Sequence, residues 1–355
     1  MGVERPDAPP IGHHGVGREP REAVGDLALE AHDHGQRHDH HRHAHRHGAH
    51  GDALHHPGTV SRSGSCRTAC DEKGEVHDSD FAEIPCKVNQ NFVFLPDQAD
   101  IYPTFMEKRA LITGATSGIG RATALRLAAL GYDIVATGRR TERLAALRAQ
   151  IEAAGGRCTI LAFDVRSEEE VRRLLGPLDG IDLLVNNAGL AAGLEHIDAG
   201  DTADWDAMID TNVKGLLYVT RTIAPKMVAA GRGHIVNIGS IAGTEPYENG
   251  AVYCASKHAV HALSQAMRAD LLAAGVRVTE IRPGMVETEF SQVRFHGDRE
   301  RAARVYDGVE PLTGDDIAEA IAWVVQLPAR MNVNDLVLMP AQQAGAYYTV
   351  RKPRP

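Results

Sequence analysis

The stretch RALITGATSGIGRATALRLAALG, residues 109–131, constrains this chain more than any other. RALITG is a short apolar run ending in glycine, the pattern of a parallel strand buried on both faces. Gly114, Ser117, Gly118, Ile119 and Gly120 then form a glycine-rich turn, and an Ala/Leu helix closed by Gly131 follows. Glycines let the chain turn sharply and approach an anion with no Cβ in the way. The free N–H groups at the helix start, near Ile119, point at that anion. A strand, a turn of this kind and a helix open a dinucleotide-binding unit. A Walker loop is excluded, because no Gly-Lys-Ser/Thr follows.

The rest of the chain repeats the alternation. DIVATG, RCTILAFDV, IDLLVNNAG, GHIVNIGS, VRVTEIRPG and NDLVLMP are strands by pattern. Helices are expected over residues 140–156, from Ser167 with its acidic first turn, over 204–231 as one long helix, over 253–275 and over 314–328. Unbroken alternation implies an α/β fold, a doubly wound parallel sheet of Rossmann type in a single domain over 106–355, with ligands beyond the carboxyl ends of the strands. A TIM barrel also alternates, but the glycines of the first turn favour the open sheet.

The first 105 residues differ in kind. Thirteen of the nineteen histidines lie before residue 60, among Asp, Gly, Pro and Arg with few apolar runs. Such a segment buries too little to offset its ordering entropy, so 1–105 is expected to be disordered, an appendage or a stretch ahead of a mis-assigned start. Dense imidazoles pick up divalent metal weakly, but a low-complexity run has no fixed ligand number or rigid shell. Cys66, Cys70, His77 and Cys86 can be written as a zinc site, with unfavourable spacing. No metal site is assigned.

The net charge of −9 comes largely from this front segment, and no Lys/Arg stripe interleaved with aromatics occurs, so no nucleic-acid partner is expected. Apolar runs are too short to span a bilayer and the N-terminus lacks a secretory h-region. A cytoplasmic location, with no membrane partner, is expected from this and from only five cysteines.

The second strand ends ATGRR. Gly138 stands where an NAD-selective domain places an acid, and Arg139 and Arg140 follow, which suits the 2′-phosphate of NADP. Arg139 is expected to be the nearer of the two. Asp164 ends the third strand as an acceptor for the adenine amino group, with Val165 beside the ring. Asn187, Ala188 and Gly189 end the fourth, where close backbone approach to a cofactor is useful.

YCASK puts Tyr253 and Lys257 four apart, on one helix face. An ammonium beside a tyrosine stabilises its phenolate, which ordinarily forms only near pH 10. Ser240 ends the fifth strand thirteen residues before Tyr253 and can hold a substrate oxygen. Serine as a nucleophile would need a Gly-x-Ser-x-Gly elbow, which NIGSIAG is not. Asn212, mid-helix, can bend its helix and free a carbonyl for a water linked to Lys257, or can serve packing alone.

TGATSGIG, NNAG, Asn212, Ser240, YCASK and PGMVET stand in the order and spacing of the short-chain dehydrogenase/reductase family, which the chain resembles from Met106 onward. The resemblance implies an enzyme in which Tyr253 is the general acid/base, Lys257 binds the nicotinamide ribose and lowers the tyrosine pKa, Ser240 positions substrate and Asn212 anchors a relay water. Thr288, after Pro283 and Gly284, would meet the nicotinamide carboxamide. ATGRRTERL, EFSQVRFHGD and LPARMNVNDLVLMP are similar to the NADP-dependent 3-hydroxy acid dehydrogenase branch, which acts on serine, allo-threonine and malonic semialdehyde and forms homotetramers. A hydroxy acid needs a partner for its carboxylate, and Arg294 is the candidate. A broad carbonyl or alcohol reductase, or a non-catalytic nucleotide sensor, are the alternatives.

Overall fold

The computed structural model describes residues 108–352, and the expectations for residues 1–105, the cysteine set included, lie outside them. Seven parallel strands form one sheet: β1 (Arg109–Ile112), β2 (Asp133–Gly138), β3 (Cys158–Ala162), β4 (Leu183–Asn186), β5 (Gly233–Ile238), β6 (Val276–Pro283) and β9 (Asp335–Leu338). Their order is β3-β2-β1-β4-β5-β6-β9. The chain builds outward from β1 to β3, then returns to lay β4 on the other side of β1. That reversal is the switch point at which open α/β sheets leave a crevice beyond the strand ends.

Strand residues alternate between two cores, as a doubly covered sheet requires. Ala110, Ile112 and Ile134 face α1 (Gly118–Ala129), α2 (Thr141–Ala153) and α9 (Gly314–Gln326), packing on Leu127, Leu144, Ile317 and Ile321. Leu111, Val135 and Val278 face the opposite way, onto Val171 of α3 (Glu168–Leu175), Ile223 of α5 (Leu216–Ala230) and Val260 of α6 (Ala251–Leu271). Ser167 caps α3 as its sequence predicts, its side chain accepting from the Glu170 N–H.

The helix expected over 204–231 is interrupted. It divides into α4 (Thr202–Ile209), a π-helical turn (Asp210–Gly215) and α5. The widened turn contains Asn212, the residue whose side chain competes for backbone partners. Between β6 and α9 the chain also forms β7 (Val286–Glu287), α7 (Phe290–Arg294), α8 (Arg299–Arg304) and β8 (Leu312–Thr313), short elements that overhang the strand ends.

Candidate active site

A cavity of about 300 Å³ lies beyond the carboxyl ends of the central strands. Gly114, Ser117, Gly118 and Ile119 line it, and Gly114 and Gly118 take the left-handed conformation that favours glycine (φ +68° and +50°). Gly120 serves packing instead. A Cβ there would come 2.3 Å from Asn187 Nδ2 and 2.5 Å from the Gly114 carbonyl oxygen. Asn187 is itself a staple between strand ends: Nδ2 donates to the Thr113 carbonyl at 2.8 Å, and its backbone N–H donates to Thr113 Oγ1 at 3.0 Å. Ala188 and Gly189 line the cavity beside it.

At one end of the cavity sit Arg139, Arg140, Asp164 and Val165. Arg140 is braced: Nη2 donates to Thr116 Oγ1 and Ser117 Oγ, both at 2.8 Å, and Nη1 to Glu289 Oε2 at 2.8 Å. Glu289 also accepts from Arg143. Burial works against the Glu289 charge, but these two arginines hold its carboxyl below the usual range. Arg139 is largely exposed, 3.8 Å from Asp164 Oδ2. The Asp164 carboxylate accepts from Arg166 at 2.7 and 2.9 Å. Burial opposes that charge too, and the Arg166 hydrogen bonds prevail, lowering the Asp164 pKa. No acid stands at the end of β2, where a Cβ on Gly138 would strike Thr116 Cγ2 at 2.6 Å. Open glycine backbone for a pyrophosphate, and two arginines following a strand end that carries glycine where an acid would repel a 2′-phosphate, fit a phosphorylated dinucleotide, although Arg140 is paired with Glu289 and Arg139 lies near Asp164.

The other end holds the groups for proton transfer. Tyr253, Lys257 and Ser240 line the cavity and are buried. Ser240 follows β5, and its Oγ accepts from the Ala242 N–H at 3.1 Å, so the side chain is fixed by the turn it caps. Lys257 Nζ donates to the Ile238 carbonyl at 2.8 Å. Burial brings the Lys257 pKa down to about 8, with the Glu280 charge opposing the fall. Burial pushes Tyr253 well above the usual phenol value, as does the nearby Tyr247, against a hydrogen bond with Ser240 and the charge of Arg294.

Asn212 does not line the cavity. Its Oδ1 accepts from the Leu190 N–H and its Nδ2 donates to the Leu190 carbonyl, each at 2.8 Å, and Nδ2 also donates to Ser256 Oγ at 3.0 Å. A Cβ on Gly189 would meet both Asn212 Oδ1 (3.2 Å) and Lys257 Nζ (3.7 Å), so the two residues flank one point of the wall. Thr288 and Pro283 line the cavity; Gly284 lies behind it, its N–H donating to the Leu338 carbonyl at 2.7 Å. Thr288 sits against Gly118, closing the groove from above.

Arg294 ends α7 beside the tyrosine and, unlike Ser240 and Lys257, does not line the main cavity; it borders a smaller one, with Trp205 and Val252, that Tyr253 also lines. Its Nη2 donates to the Tyr247 hydroxyl at 2.6 Å, and its guanidinium lies over the Tyr253 ring. Its Nε is buried with no hydrogen-bond partner among the described residues. Phe290 meets Tyr253 edge-on at 5.6 Å. Sequence reasoning missed Thr116, Tyr247, Glu289 and Phe290, which belong to turns and short elements with no periodicity to mark them.

A doubly wound sheet with a glycine-lined groove at its switch point and a buried tyrosine–lysine pair beside it defines a dinucleotide-dependent oxidoreductase. The short chain dehydrogenase family model matches residues 108–299. The NADP-dependent 3-hydroxy acid dehydrogenase YdfG of Salmonella typhi is 46% identical over 247 residues, covering 68% of this chain and 98% of its own. The serine 3-dehydrogenase of Rhizobium radiobacter is 45% identical over 249 residues, covering 69% and 98%. The solved closed form of serine dehydrogenase complexed with NADP+ shares 44% identity at a TM-score of 0.65, covering 69% of this chain and 99% of that one. The chain belongs to the short-chain dehydrogenase family.

Proposed function

We propose that this chain interconverts small 3-hydroxy acids, of the serine, allo-threonine or 3-hydroxypropionate type, and their carbonyl forms with NADP(H). The observation that carries the substrate class is the Arg294 guanidinium, held by Tyr247 over Tyr253 with Nε unpartnered. A cation at that point suits a carboxylate next to the reacting carbon. The relatives above, named for NADP and for hydroxy acids or serine, support the same reading.

When bound, NADP(H) supplies or accepts the hydride. The remaining work falls to the chain's own residues. Arg139 and Arg140 bind the 2′-phosphate, and Asp164 and Val165 border the adenine. Lys257 holds the nicotinamide ribose, and Thr288 the carboxamide. Ser240 orients the substrate oxygen, and Tyr253 gives that oxygen a proton in reduction or removes it in oxidation. Asn212 shapes the wall behind Lys257 by fixing Leu190. Arg294 orients the acid so that the reacting carbon faces the nicotinamide, and orientation of this kind is a large part of catalysis.

The homotetramer is part of the same proposal. Leu217 and Val228 of α5 and Trp323 of α9 are exposed apolar side chains suited to contacts between copies, and sedimentation of the purified chain tests it. No helix among the described residues is long and apolar enough to cross a membrane. The deciding experiment measures initial rates of the full chain with NADP+ and NAD+. Substrates are serine, the threonine stereoisomers, 3-hydroxyisobutyrate, 3-hydroxypropionate and neutral secondary alcohols. Activity confined to the acids with NADP+ far ahead is expected; equal rates on neutral alcohols would leave a general reductase.

A further inference from the structure

Behind Lys257 lies a carboxylate that the reaction outlined above does not use. Glu280, on β6, is fully buried. Its Oε2 lies 2.6 Å from Nδ1 of His261. Its Oε1 has no hydrogen-bond partner among the described residues and is pressed against Gly239, where an added Cβ would come 2.1 Å from it. Gly239 joins two residues on which the site depends. Ile238 precedes it, with the carbonyl that receives Lys257 Nζ, and Ser240 follows it. His261 lies one helical turn beyond Lys257 on α6, so the face that carries the ammonium also carries the group that clamps Glu280.

The other charged groups around the carboxylate are few. Arg282 is on the same strand. Asp335 is the register partner of Glu280 on β9, and its Oδ1 is 3.8 Å from His261 Nδ1. An ionised carboxylate this deep is costly unless cations compensate it. His261 satisfies one oxygen. The other lies against Gly239, next to the Ile238 carbonyl that is the neutral hydrogen-bond partner of Lys257.

We propose that Glu280 is a positioning residue for the hydride-transfer site: its buried charge, anchored by His261 and set against Gly239, keeps Lys257 in the ammonium form. This rests on the reading of Lys257 as the ribose-binding group. Burial pushes the Glu280 carboxyl above the usual carboxylate range, with the Asp335 charge adding to the rise, and the hydrogen bond and charge of His261, then Arg282, pull it part of the way back. Burial likewise pulls Lys257 down, and the Glu280 charge acts against that pull. The Glu280 charge therefore supports the ionised form of Lys257 through the β5 end, and His261 holds that carboxylate from the far side.

The test is NADPH binding to the full chain, followed by nicotinamide fluorescence from about pH 6 to about pH 10, which needs no substrate. In the parent, affinity falls as pH rises through the Lys257 value of about 8. Lys257→Met removes that fall and so assigns it. Glu280→Gln is expected to move its midpoint down by about one pH unit, the scale of a charge interaction at this depth. Glu280→Asp, with the charge kept but drawn back, should move it less, and this variant stands in if Glu280→Gln does not fold. A structural role alone would lower affinity equally at every pH with the midpoint fixed, and that result overturns the proposal. So does a parent affinity independent of pH. A parent that binds no NADPH at all would instead refute the cofactor reading.

Discussion

The Arg294 guanidinium carbon stands 5.2 Å from the centroid of the Tyr253 ring. The two come from different layers of the fold, one from the short helix α7 overhanging the strand ends and the other from the start of α6. Tyr247 fixes the geometry by accepting from Arg294 Nη2 at 2.6 Å. A cation over the ring of the proton-transfer tyrosine can receive a substrate carboxylate and can also ease ionisation of the phenol.

Arg294→Ala should therefore separate acids from neutral substrates. For hydroxy acids, loss of a charge-assisted hydrogen bond is worth about 1.5–3 kcal/mol, a rise in KM of roughly 10- to 100-fold. Neutral secondary alcohols, with nothing to place on Arg294, should change by about threefold or less. Parallel initial rates on 3-hydroxypropionate and 2-propanol check this, and equal losses on both would remove Arg294 from substrate recognition.

Tyr253 sets the pH dependence of each direction. Burial raises its pKa, so the phenol is the dominant form near neutrality. Reduction needs that protonated form as acid, and oxidation needs the phenolate as base. The rate of hydroxy-acid oxidation should rise with pH past neutrality, about tenfold per unit where proton removal limits, until the tyrosine titrates. The reductive rate should be flat or falling over the same interval. Tyr253→Phe should abolish both. An oxidative rate that is level across this range would mean that Tyr253 is not the base.

Much of this site was legible in the sequence for a definite reason. Helix and strand periods fix which face a residue shares, so Tyr253 and Lys257 fall together, and strand ends in a doubly wound sheet converge, which brings Ser240 and Gly114 to them. Asn212 announced a disturbed helix, and the disturbance is a π turn rather than a bend in one continuous helix. Tyr247 and Glu289 were not legible. Each acts through a long-range contact, to Arg294 and to Arg140, between loops whose separation no local pattern encodes. Glu280 hid differently: VRVTEIRPG is a strand by pattern, but nothing local marks which of its polar residues is buried, and Glu280 is, because both faces of β6 are covered.

Arg140 and Arg139 are set up differently for the same phosphate. Arg140 is held by Thr116, Ser117 and Glu289 before any cofactor arrives, while Arg139 is exposed and must order on binding. Prior order lowers the entropy lost on binding, so Arg140→Ala should cost more NADP+ affinity than Arg139→Ala, about 10-fold or more. NAD+ affinity should change little in either variant. Titration of both cofactors against both variants decides it, and a larger loss from Arg139→Ala would reverse the order of importance.

His234 gives the fold a predictable weakness in acid. It lies on β5, is 4% exposed, and its Nε2 is 2.9 Å from Thr279 Oγ1. Burial lowers its pKa from the ordinary 6.5 to about 3, with the charge of Arg277 adding to the fall. Below pH 6.5 the unfolded chain takes a proton that the folded one refuses, so this residue's stability contribution is full above that value and is lost as pH drops toward 3. The slope for one proton is about 1.4 kcal/mol per pH unit. Urea unfolding at several pH values between about 7 and about 4 should show that slope, and His234→Asn, which keeps a polar partner for Thr279 but does not titrate, should flatten it by about one proton. If parent and variant lose stability in parallel, the acid sensitivity belongs to the carboxylate pairs instead, Glu289 with Arg140 and Asp164 with Arg166 foremost among them.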